Sequence, residues 1–102
     1  MINVTKVTYK NENGYHQFFC IGHADYDHAG RDIVCSAISI LCSALVLSIT
    51  ELGYDAHIEN GDVRVIIDDY DTAELKAIFR TVMNGFNLLA EQYPKNLKIA
   101  QA

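Results

Sequence analysis

Eighteen consecutive residues, Ile33 to Thr50, carry no charged side chain. A run of that length must leave water, and it stands at the lower edge of what spans a bilayer. Ser36, Ser39, Ser43, Ser48 and Thr50 dilute it, which favours a buried helix over a membrane span. Ile38, Leu41, Leu45 and Ile49 fall on one helical face, and Ile40, Ala44 and Leu47 on another. A helix apolar nearly all round is covered on more than one side. In a chain of 102 residues, with one domain and one core, a second subunit is the expected second cover.

The segments around this helix read as two similar halves. Ile2 to Lys10 is rich in Val, Ile, Thr and Tyr, as strands are. Asn13-Gly14 supplies a tight turn into a second strand, Tyr15 to Ile21. Residues 22–31 form a polar loop, and the long helix runs from there to about Leu52, with Gly53 as its stop. Strands at Tyr54–Glu59 and Val63–Ile67 follow, joined by Asn60-Gly61-Asp62. Asp71 reads as the next helix cap, with Glu74 in capping-box position. Leu75, Ile78, Phe79, Val82, Met83 and Phe86 then make one apolar face, and Tyr93-Pro94 ends the helix ahead of a polar tail. The order ββα-ββα predicts an α+β fold: a mostly antiparallel four-stranded sheet with two helices packed on one face.

The chemistry concentrates where the long helix begins. If Asp32 is the N-cap, Cys35 lies in the first turn, where unpaired N–H groups and the macrodipole favour a thiolate. The N–H groups of Cys35 and Ser36 are placed to hold an oxyanion. Free cysteines are more often small core hydrophobes, which is the plain reading of Cys20 in its strand and of Cys42 two turns along the helix. His23 closes the second strand after Gly22 and is a candidate general base; a surface histidine is the plainer alternative, and His28 is a competitor inside the loop. Asp32 can cap, orient His23 or bind substrate, and Ser39 lies one turn beyond Cys35 on the same side. Cys20, His23, His28 and Cys35 together offer four zinc ligands, but their spacing fits no tight zinc pattern, and no metal or other cofactor is expected.

Eight basic against thirteen acidic residues give a net charge of −5, which argues against direct binding of nucleic acid. Three cysteines without a C-x-x-C pair suggest a reducing compartment, no secretory signal is evident, and no membrane partner is expected.

Gly22-His23-Ala24, followed by Gly30-x-Asp32-Ile33-Val34-Cys35-Ser36-Ala37-Ile38-Ser39, resembles the signature of the ribosomal-processing cysteine proteases, the Prp family. The resemblance covers nearly the whole chain and implies a single cysteine protease domain, residues 1–102. It implies a cytoplasmic, homodimeric endopeptidase that removes the N-terminal extension of large-subunit ribosomal protein twenty-seven. It places the nucleophile at Cys35, the histidine at His23 and a flexible loop at 24–34. Gly22, Asp32, Ser36 and Ser39 are motif positions of supporting or substrate-binding kind, and many relatives carry Ala where Ser36 stands. Asp25 and Asp27 on the loop would attract a basic substrate segment. The alternative from another class is a non-catalytic, ribosome-associated binding module on the same fold.

Overall fold

The computed structural model describes residues 4–22, 33–59, 61–69 and 72–101. Its elements run β1 (Thr5–Glu12), β2 (Tyr15–Ile21), α1 (Ile33–Glu51), β3 (His57–Glu59), β4 (Asp62–Asp68), α2 (Ala73–Gln92) and β5 (Leu97–Gln101). The first hairpin turns at Asn13 and Gly14, both at positive φ (49° and 91°), as a tight turn matched to the strand twist demands. The strands form one sheet in the order β3-β4-β2-β1-β5. β1 pairs antiparallel with β2, β2 with β4, and β3 with β4, whereas β5 lies parallel to β1. The expected four-stranded sheet is therefore a five-stranded mixed one.

The correction comes from the expected polar tail. Leu97 is buried against the core and pairs in register with Thr5, and Thr5 N–H donates to the carbonyl of Asn96 at 3.0 Å. The boundaries move elsewhere too. β1 extends to Glu12, and β3 is confined to three residues, with 54–56 irregular. The cap of α2 is Thr72, whose Oγ1 accepts the N–H of Leu75 at 3.2 Å; Asp71 lies outside the described residues, and Glu74 serves as an acidic residue in the first turn.

Alternation puts Val7 and Tyr9 of β1, Phe18 and Cys20 of β2, Val63, Val65 and Ile67 of β4 and Leu97 of β5 on one sheet face. They share a single core with Val34, Ile38, Cys42, Leu45 and Ile49 of α1 and with Leu75, Phe79, Val82, Met83 and Phe86 of α2, so both helices pack on that face. α1 is thus a core helix on one side, although it is long and apolar enough to cross a membrane. Where the two helices meet, Gly85 of α2 admits the Leu41 side chain of α1: a Cβ at that position would lie 2.7 Å from a Leu41 methyl. The core includes a histidine–tyrosine pair. His16, fully buried, has its Nδ1 2.8 Å from the Tyr9 hydroxyl and its ring stacked on Phe79 at 4.8 Å. Desolvation of the imidazole is offset by that hydrogen bond.

Both crossovers are long. β2 passes through α1 to reach β3 beyond β4, and β4 passes through α2 to reach β5 beyond β1. The end of β2, the start of α1, the start of β4 and the start of β1 consequently converge at one end of the sheet.

Candidate active site

Cys35 is the third residue of α1 and is exposed, unlike Cys20 and Cys42, which are buried; none of the three is in a disulfide. The burial follows from helical phase. Val34, Ile38, Cys42, Leu45 and Ile49 take the core face, and Cys35 is rotated off it toward the end of the sheet. There it opens onto a cavity of about 180 Å³ lined by Thr5, Cys20, Gly22, Cys35, Ile38, Ser39 and Gly61. The first-turn N–H groups of α1 have no intrahelical acceptors, so this end of the helix favours negative charge.

Gly22 forms the strand side of the cavity and is held from two directions. Its N–H donates to Asp62 Oδ1 at 3.1 Å, and its carbonyl accepts from Thr5 Oγ1 at 3.4 Å. Its φ is +98°, and a Cβ there would sit 2.6 Å from the carbonyl oxygen of Val4. Only glycine satisfies both conditions without displacement of the backbone. The chain therefore leaves β2 on a fixed heading, and the next residue in sequence is His23.

Cys20 stands behind Cys35 in the same cavity. Its hydrogen bond with Cys42, then burial, then the charges of Cys42 and Asp62 push its thiol well above the usual range, so it stays protonated. It is a wall and not a second nucleophile, in keeping with its reading as a core residue. Among the described residues no group of three or more His, Cys, Asp or Glu side chains could hold a metal ion.

The structure brings Gly22, Cys35 and Ser39 of the expected site residues to one cavity, and Ser36 lies beside Cys35, exposed, in the first turn. His23 and Asp32 lie outside the described residues, as do His28, Asp25, Asp27 and most of the loop expected over 24–34. The sequence gives no sign that Thr5, or Gly61 of the Asn60-Gly61-Asp62 turn, belongs to the site. Thr5 lies on β1, and Gly61 lies in the β3–β4 turn; only the sheet register brings either to the helix start.

An accessible thiol on the opening turn of a helix, above a small enclosed cavity, defines a class: enzymes that work through a cysteine nucleophile. The profile of the family described as cysteine protease Prp matches residues 1–98, and the chain belongs to that family. The fold agrees. A crystal structure of the essential ribosomal processing protease Prp from S. aureus, with a covalently linked product peptide, superposes with a TM-score of 0.86 at 24% identity, covering 97% of this chain and 100% of that one. The same S. aureus protease with a substrate peptide gives 0.76 at 22% identity, over 99% and 100%. SMU.848 from Streptococcus mutans gives 0.69 at 25% identity, over 97% and 96%. No curated protein matches the chain in sequence.

Proposed function

We propose that this cysteine protease processes a ribosomal protein, removing the N-terminal extension of large-subunit protein twenty-seven, with Cys35 as nucleophile and His23 as its base. The observation that carries the assignment is the exposed Cys35 thiol on the first turn of α1, over a cavity whose other side is Gly22, the residue bonded to His23. Family membership supports the reaction class, and the S. aureus relative bound to substrate and product peptides supports a peptide substrate.

In this reading His23 takes the proton from the Cys35 thiol, and the sulfur attacks the scissile carbonyl. The N–H groups of Cys35 and Ser36 receive the oxyanion, and collapse to the acyl-enzyme expels the new amine, protonated by the histidine. His23 then activates a water, which releases the trimmed fragment and restores the thiol. Ser39, one turn from Cys35, offers its hydroxyl to the same cavity. Asp25 and Asp27, between His23 and Cys35 in sequence, attract a basic segment of the substrate. The enzyme acts in the cytoplasm as a homodimer.

Incubation with candidate ribosomal proteins and intact-mass measurement of the products tests this. One ribosomal protein is expected to lose a short N-terminal peptide. Cys35→Ala and His23→Ala are each expected to lower the rate by about three orders of magnitude or more while leaving the unfolding transition unchanged. Retained trimming in the Cys35→Ala protein would remove the mechanism, and binding without trimming in the native protein would favour the binding-module reading.

A further inference from the structure

At the far end of β1 from Cys35 the same sheet face carries a second polar concavity, which the protease reading does not use. Thr5 opens β1 at the cysteine, and Asn11 lies six residues along the strand, about 20 Å away at 3.4 Å per residue. The cavity is about 280 Å³, and Lys76, Arg80, Asn84 and Asn87 of α2, Asn11 of β1 and Gln101 of β5 line it. The four α2 residues follow one another at intervals of four, four and three, so they form a column on one helix face. No acidic side chain lines the cavity, although the chain has a net charge of −5. Among the described residues Arg80 makes no ion pair. Asn11 Oδ1 is buried and accepts no hydrogen bond among those residues, which is unfavourable unless a donor meets it.

These features describe complementary needs. The Arg80 guanidinium and a set of amide donors call for an oxyanion, whereas Asn11 Oδ1 calls for a donor on the same ligand. A carboxylate or a sulfate supplies only the first. A phosphate that keeps an O–H, or a phosphate ester with a neighbouring hydroxyl, supplies both. We infer that the cavity between the column on α2 and the ends of β1 and β5 binds a phosphate group, free or carried by a small hydroxylated metabolite, with Arg80 on the anion and Asn11 on the hydroxyl.

The test is a nuclear magnetic resonance titration of the full chain at constant ionic strength with inorganic phosphate, glycerol 3-phosphate and sulfate. Phosphate is expected to give saturable shifts of the Asn11, Asn84 and Asn87 side-chain amides and of the Arg80 Nε–H, and sulfate to bind about tenfold more weakly for want of a donor. Arg80→Gln, at an exposed position, is expected to weaken phosphate about tenfold with the rest of the spectrum unmoved, and Lys98→Gln, on the other sheet face, to leave it unchanged. Glycerol 3-phosphate binding more tightly than phosphate assigns an esterified ligand, and the reverse order assigns free phosphate. Non-saturating shifts, equal affinity for sulfate, or full affinity in the Arg80→Gln protein would overturn the inference.

Discussion

A methyl group at position 22 would meet the Val4 carbonyl oxygen at 2.6 Å, in a backbone conformation (φ +98°) that side-chain-bearing residues rarely adopt. Gly22 is also the last described residue before His23 and forms one wall of the cysteine cavity. Gly22→Ala is therefore expected to destabilise the fold by about 1–3 kcal/mol and to lower kcat beyond what the unfolded fraction explains, because the exit of β2 is redirected. Thermal unfolding should show a Tm lower by roughly 4–8 °C per kcal/mol, and peptide cleavage well below that Tm gives the kinetic part. Equal stability and rate would show that the strand exit does not position the base. At this scale the sequence was informative because glycine and cysteine have restricted reasons to stand where they do. Cys35 announced itself by its place at a helix start, and Cys20 and Cys42 by apolar surroundings, and the structure exposes the first and buries the other two. Thr5 gave no such signal. A threonine at a strand start is ordinary, and its contact with Gly22 spans seventeen residues of sequence.

The elements read most faithfully were those whose signal is local. Asn13-Gly14 fixed the first hairpin, and β2 spans Tyr15–Ile21 as expected. The apolar period of α2 gave its buried face, with Ile78 alone among the six only partly covered. β5 was not legible, for a physical reason. Its five residues offer two large apolar positions, Leu97 and Ile99, too few to set a period, and its partner β1 is about ninety residues away. The capping of α2 shows a finer ambiguity, since Asp71 and Thr72 are both cap-forming types and only the Thr72–Leu75 hydrogen bond distinguishes them. β5 makes a decisive prediction. A frayed polar tail would tolerate Leu97→Ala within about 0.5 kcal/mol. A buried Leu97 that ties β5 to the core predicts a loss of about 2–5 kcal/mol, read from the urea midpoint at unchanged slope.

Across the whole molecule, one sheet face and one side of α1 account for the core, and the opposite side of α1 is apolar and left uncovered by the other described residues. Ile33, Ile40 and Leu47, spaced seven residues apart, are 55%, 69% and 63% exposed, and Leu88 of α2, 62% exposed, stands with Ile40 at the rim of the groove between the helices. The uncharged run that dictated a helix covered on two sides is thus covered on one by its own sheet. The proposed homodimer supplies the second cover from a symmetry-related copy, which brings apolar stripe against apolar stripe by the same operation. Exposure of that stripe in water would favour association by about 25 cal/mol per Å² covered, and a charge at its centre reverses the sign of the contact. Ile40→Glu is at an exposed position, so the monomer fold has no reason to change, and the helix accepts glutamate readily. Sedimentation equilibrium is expected to give a dimer for the native chain and a species of 11.4 kDa for Ile40→Glu, with far-ultraviolet circular dichroism unchanged. Leu88→Glu should act in the same direction, whereas Ile66→Glu, at an equally exposed residue on the outer sheet face, should leave the dimer intact. A dimer that survives Ile40→Glu and dissociates with Ile66→Glu would place the interface on the outer sheet face.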